Sequence, residues 1–127
     1  AYVTNNMLSI VVRSTLKEGE NPQRDIVQTY NYDLTEKKEI SFEDLLNFKG
    51  ITRQEAGNTI KAEIKNVENK INELAQLGYK VYLRDSNNSI YKLDNITEYF
   101  IGENNVIYVI FAYGNKNNTS EMDIVVL

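Results

Sequence analysis

The residues best able to do chemistry in this chain are its acids and its phenols. Neither Cys nor His occurs among the 127 residues. A thiol nucleophile, an imidazole base, a zinc site with nitrogen or sulfur ligands and a disulfide framework are thereby excluded. Among the acids, Glu43 and Asp44 are adjacent. A glycosidase needs two carboxylates converging across a cleft, roughly 5 to 9.5 Å apart. Neighbouring residues on a helix point about 100° apart, so these two do not face each other. They compensate the dipole of a first helical turn instead. Asp25, Asp33, Asp85, Asp94 and Asp123 are scattered, without the spacing of a calcium loop. Asp85-Ser86-Asn87-Asn88-Ser89 comes nearest, but it lacks a central Gly and a terminal Glu and reads as a turn. The chain is therefore expected to carry no metal, no cofactor and no catalytic residue.

The nine tyrosines are the second group. Tyr30, Tyr32, Tyr79, Tyr82, Tyr91, Tyr99, Tyr108 and Tyr113 lie on or beside predicted strands. Strands favour Tyr for packing. Binding surfaces favour it too, because it offers a large area with a hydrogen-bonding tip. An antiparallel sheet with helices on one side keeps a second face for use. Several tyrosines on that face would form a platform for a protein or a glycan. Tyr30, Tyr32, Tyr99, Tyr108 and Tyr113 are the candidate ligand-binding residues.

The elements that must position them are legible from spacing. In residues 6–15, Leu8, Ile10 and Val12 fall on one side and Met7 and Val11 on the other, which predicts a strand. Residues 17–24, with Gly19 and Pro22, form a loop. Residues 25–34 place Ile26, Gln28, Tyr30, Tyr32 and Leu34 on one side of a second strand, paired with the first as a hairpin. A short helix follows, capped by Ser41, with Leu45, Leu46 and Phe48 as its apolar side and Gly50 ending it. Thr52-Arg53-Gln54-Glu55 has the form of a capping box. Ile60, Ile64, Val67, Ile71 and Leu74 then recur at spacings of four and three, a stripe on a long helix that Gly78 terminates. That stripe is too short for a coiled coil and is expected to pack on the domain's own sheet.

Beyond it, residues 79–83 are expected as a strand and residues 84–89 as a polar turn. Strands over 96–101 and 106–113 are joined by Gly102-Glu103-Asn104-Asn105, and a last strand covers 122–127. Strands, then helices, then strands predict one α+β domain over residues 1–127. Its architecture is a mainly antiparallel sheet with one long and one short helix packed on one face.

Hydrophobic residues make up 42%, enough for one core, and the net charge is −4. Phosphate binding needs clustered Lys and Arg, so nucleic acid is not an expected partner. The longest apolar run, residues 106–113, is far short of the roughly 18 residues that span a bilayer, so no membrane insertion is expected. The chain opens on Ala1-Tyr2-Val3-Thr4 without a signal peptide, and reads as an excised domain or a processed chain.

Three stretches in this order resemble an uncharacterised bacterial extracytoplasmic domain family. They are Leu8-Ser9-Ile10-Val11-Val12; Tyr30-Asn31-Tyr32-Asp33-Leu34 followed by Ile40-Ser41-Phe42-Glu43-Asp44-Leu45-Leu46; and Ile96-Thr97-Glu98-Tyr99-Phe100-Ile101 through residues 106–111. That family forms the outer domain of the anti-sigma-V factor, a lysozyme receptor, and precedes the catalytic domain of some peptidoglycan polysaccharide deacetylases. The chain departs from its pattern at Lys17-Glu18-Gly19-Glu20-Asn21-Pro22, where members carry Gly-Gly-Ala-His. It departs again at Tyr113-Gly114-Asn115-Lys116-Asn117-Asn118, where they carry a Tyr- and Pro-containing loop. The resemblance implies an extracytoplasmic location and a non-catalytic binding or sensing role; it does not by itself imply lysozyme as the ligand, and the expected partner is a protein, of which lysozyme is one example, or a cell-wall glycan. It also implies an alternative, an accessory domain of a peptidoglycan-modifying enzyme that binds wall glycan. A small carboxylate-dependent hydrolase ranks below both.

Overall fold

The computed structural model describes all 127 residues. It is an α+β fold. Strands β1 (Tyr2–Thr4), β2 (Met7–Leu16), β3 (Arg24–Asp33) and β4 (Lys38–Glu39) form one antiparallel sheet in chain order. Helices α1 (Phe42–Lys49) and α2 (Arg53–Gln76) follow, and then strands β5 (Tyr99–Ile101), β6 (Ile107–Ala112) and β7 (Met122–Val126) form a second. Two sheets therefore stand where the sequence suggests one. Both helices pack on a single face of the three-stranded sheet, as expected. Phe42, Leu45 and Leu46 of α1 and Ala56, Ile60 and Ile64 of α2 bury against Ile101, Ile107, Val109, Phe111 and Val125, while Met7 and Ile40 close the core from the other sheet. Each fully buried Ile or Leu contributes about 2 kcal/mol.

Local signals set the helix ends. Ser41 and Asp44 exchange both bonds of a capping box, and Gly50 closes α1 at φ 73. Thr52 accepts from the Glu55 amide, but Glu55 does not return the bond, so the complete box belongs to α1 rather than to α2. Burial declines along the α2 stripe. Ala56, Ile60 and Ile64 are buried, Val67 and Ile71 half-buried and Leu74 exposed, and only the first half of α2 joins the core.

Residues 79–83 are not a strand. Their backbone makes no ladder bonds. The Tyr82 amide donates instead to the Glu121 carboxylate, and the Arg84 side chain donates to the Tyr82 carbonyl. The strand expected over 96–101 shrinks to Tyr99–Ile101, since residues 93–95 close a 3₁₀ turn just before it. Strands β1 and β4 are too short to show a period in sequence. The turn between β1 and β2 takes Asn5 and Asn6 left-handed, the conformation a two-residue hairpin turn needs.

The two sheets meet face to edge. In the pairing of β5 with β6, the Ile110 amide donates to the Glu98 carbonyl. Alternation then turns the backbone groups of Tyr99 and Ile101 outward, toward the four-stranded sheet. There the Tyr99 amide donates to Thr29 Oγ1 (3.0 Å), Asn31 Nδ2 donates to the Tyr99 carbonyl (2.7 Å) and the Ile101 amide donates to Ser9 Oγ (3.3 Å). The Ser9 hydroxyl in turn donates to Asn31 Oδ1 at 2.6 Å.

The outer edge of β3 is closed in the same way. Its Asp25 amide donates to the Thr119 carbonyl, and Val27 exchanges two bonds with the Asn115 carboxamide. The Thr29 amide donates to Glu98, and the Asn31 carbonyl accepts from the Ile40 amide. This close approach requires Gly114, where an added Cβ would lie 2.1 Å from the Asp25 carbonyl oxygen.

Asn31→Ala would strand the Tyr99 carbonyl and the Ser9 hydroxyl in the seam. The expected loss is about 2–4 kcal/mol in urea unfolding. Gly114→Ala is expected to cost about 3 kcal/mol or more by the same measurement. A loss below about 1 kcal/mol in both variants would contradict this account of the seam.

Candidate functional site

The seam decides which face of the four-stranded sheet is free. Residues paired across strands share a face, so Ser9 and Asn31 lie together on the inner one with Met7, Asp25 and Val27, all buried. The opposite face carries Val3, Leu8, Ile10, Val12, Tyr30 and Tyr32, and it is the more apolar of the two. No element covers it. Tyr30 is 53% exposed, Val12 41% and Tyr32 38%. Tyr30 stands opposite Ile10, and Tyr32 opposite Leu8, so each ring has an aliphatic neighbour across the strand.

The five tyrosines singled out by sequence do not come together. Tyr30 and Tyr32 share this outer face. Tyr99 is half-buried, donates its hydroxyl to the Ile40 carbonyl (2.8 Å) and tilts against Phe42. Burial raises its pKa, helped by Asp44, Glu39 and Glu98. Tyr108 stacks on Phe100 with ring centres 4.7 Å apart, on the second sheet. Tyr113 is buried, with 4% exposure. Its hydroxyl donates to Asp123 and lies 2.7 Å from that of Tyr91.

Tyr113 belongs to a group of charges built around a buried arginine. Arg84, 6% exposed, meets Asp123 through Nε at 3.0 Å and Nη2 at 3.2 Å, and Glu121 through Nη1 at 2.7 Å. Its guanidinium lies 4.7 Å from the centre of the Tyr113 ring, which itself stacks on Tyr82. Burial pulls the Arg84 pKa down, but bonds to the two carboxylates outweigh it and the net shift is upward. Burial, with the Asp123 bond, pushes the Tyr113 phenol far up, and burial raises Tyr91 as well. Every polar atom of this group has a partner. The cluster holds residues 82–84 to the end of the second sheet. Nothing in the spacing of the sequence joins Arg84 to Asp123.

A cleft of about 300 Å³ lies beside this cluster. Ile90, Ile96, Ile110 and Phe111 give it an apolar floor, and Asn95 and Asn117 stand at its rim. The rim amides also have structural work. Asn95 donates to the Ser89 carbonyl and Asn117 to the Tyr82 hydroxyl. Glu43 is paired with Arg53, and Asp44 caps α1. Asp25 accepts from Arg13 and Thr15, which together hold its carboxyl below the usual range. No three acidic side chains converge as a metal-ligand set, and no helix is long and apolar enough to cross a membrane. No family model, curated protein or solved structure matches this chain.

Arg84→Ala would leave Asp123 and Glu121 without their cation, and a loss of about 3–5 kcal/mol is expected in denaturant unfolding. Stability should also fall at both ends of the pH scale. The Asp25 pKa is lowered in the folded chain, so its contribution is complete above about pH 4, the unfolded value, and fades as acid titrates the folded carboxyl. Tyr91 and Tyr113 are raised, so theirs is complete below about pH 10 and is lost as pH rises beyond it. Phenolate absorbance followed in parallel with circular dichroism should show the buried tyrosines ionising only as the chain unfolds. Their ionisation in the folded state would contradict the assignment.

Proposed function

We propose that this chain is a non-catalytic binding or sensing domain of the bacterial cell envelope, placed outside the cytoplasm, which holds a protein such as lysozyme on the outer face of β2 and β3. The observation that carries the reading is an inversion. The polar face of this sheet is buried and the apolar face, with Tyr30 and Tyr32, is left in solvent. A contiguous uncovered apolar face on a folded domain costs solubility, and a binding partner compensates that cost. Exposed tyrosines between aliphatic residues suit such a surface, because they bring area at small entropic loss. The net charge of −4 favours a basic protein over an acidic polymer. The acids with resolved partners serve as scaffold: Asp25, Glu98, Glu121 and Asp123 each hold a backbone amide, a phenol or an arginine.

A second reading, an accessory domain of a peptidoglycan-modifying enzyme that binds wall glycan, has one observation in its favour. The cleft over Ile110 and Phe111 combines an apolar floor with a carboxamide rim, a chemistry that suits the ring face and hydroxyls of a sugar.

The experiment is direct binding of C-type lysozyme and of soluble peptidoglycan fragments to the immobilised domain, repeated with Tyr30→Ser and Tyr32→Ser. Saturable lysozyme binding, weakened about tenfold or more by each substitution, is the expected result. Each substitution removes one cross-strand pair, so the unfolding free energy should fall by about 1 kcal/mol and the fold should persist. Glycan binding that survives both substitutions but fails in Asn95→Ala would favour the cleft. Absence of binding to either ligand would defeat both readings.

A further inference from the structure

The backbone of β7 has one unused side. Ile107 and Leu127 exchange both backbone bonds, and the Tyr113 amide donates to the Glu121 carbonyl. Alternation therefore directs residues 123 and 125 at β6 and turns the N–H and C=O groups of Met122, Ile124 and Val126 away from it. No group within the chain bonds to any of them.

The other edges of the fold are dealt with. The outward groups of β5 meet Thr29, Asn31 and Ser9, and those of β3 meet Thr119, Asn115, Glu98 and Ile40. Strand β1 has three residues, and β4 is a two-residue Lys38-Glu39 pair. The distal half of β2 is open past β1, but it carries the exposed charge of Arg13. Short length and charge are the usual protections of a strand edge. Strand β7 has neither Lys, Pro nor a bulge. Its single charge, Asp123, is tied to Arg84 and Tyr113 on the helix-facing side. Beside the bare backbone, Ile124 is 53% exposed and Val126 54%.

The geometry points to β7 as the place where two copies of this chain pair, antiparallel, about a two-fold axis at Ile124. Unused backbone donors and acceptors in strand register are a ready template for another strand, and no side chain of this chain reaches those of β7 as Ser9, Thr29 and Asn31 reach those of β5. A two-fold contact requires a patch complementary to itself. The outward row Met122, Ile124, Val126 meets that requirement. Ile124 faces its own copy, Met122 of one chain faces Val126 of the other, and no like charges are brought opposite each other. The two three-stranded sheets become one continuous sheet. The contact leaves the outer face of β2 and β3 untouched, so this inference does not depend on the binding role given to that face.

Sedimentation equilibrium from about 1 μM to about 1 mM tests it, a range that covers the weak affinities of small interfaces. The parent chain is expected to dimerise reversibly within that range. Ile124→Pro removes an N–H that makes no bond within one chain, at an edge position where a strand tolerates proline, and Ile124→Lys places a charge opposite its own copy. Both should be monomeric. Val12→Lys, on the other sheet, should dimerise as the parent does. Amide exchange on the parent chain gives an independent readout that needs no variant: the Ile124 and Val126 amides should become protected as concentration rises. A parent chain that stays monomeric to about 1 mM would overturn the inference. So would a dimer that persists in both Ile124 variants, or exchange at these amides that is indifferent to concentration.

Discussion

The face-to-edge seam between the two sheets is the constraint on which the rest of the molecule depends. A strand edge buried inside a protein must have its N–H and C=O groups satisfied. A flat apolar sheet face laid against that edge would offer them nothing. Ser9, Thr29 and Asn31 solve the problem with side chains of fitting length, and they do so from the inner face of β2 and β3. That solution makes the inner face polar. It also leaves the aliphatic and aromatic residues of the same strands with only the outer face to occupy. The surface we assign to binding is thus a consequence of how the interior is wired. The seam governs backbone approach as well. The Gly114 turn can press against the Asp25 carbonyl only because it lacks a side chain.

The long helix, its apolar stripe at Ile60 and Ile64, the Ser41 cap, the Gly50 stop and the β2–β3 hairpin are legible in sequence because each is a local pattern with its own period or cap. The seam is not local. Ser9 and Asn31 look like ordinary solvent-facing residues of two amphipathic strands. A period of two tells that a strand has two faces, and not which of them turns inward. Residues 79–83 mislead for a related reason. Tyr-Lys-Val-Tyr-Leu has the composition of a strand, but side chains of Glu121 and Arg84 claim its backbone before any neighbouring strand can.

The candidate site was legible to the extent that it rests on spacing. Tyr30 and Tyr32 are two residues apart on one strand and therefore share a face, whatever the fold does next. Tyr99, Tyr108 and Tyr113 carry the same letter but answer to distant partners: Ile40 and Phe42, Phe100, and the Arg84–Asp123 pair. Phenols serve as anchors, stacking partners and surface residues within one domain, so composition alone does not separate these roles. The charges behave similarly. Buried Arg84 and its two carboxylates brace the loop after α2 to the second sheet, a use that a search for catalytic spacing does not reveal.

The seam also sets an order of events as the chain folds. The bonds that join the sheets link residues far apart in sequence: Ser9 to Ile101 is a separation of 92, Val27 to Asn115 one of 88 and Thr29 to Glu98 one of 69. The β2–β3 hairpin and α2 rest on neighbours in sequence and close small loops, at small entropic cost. The seam cannot close until nearly the whole chain has been gathered. On loop-closure grounds, docking of the β2–β3 face onto the β5 edge is therefore expected to come late in folding. Before that step, Ser9 and Asn31 are still hydrated, the edge of β5 lies open, and both faces of the β2–β3 hairpin stand in water.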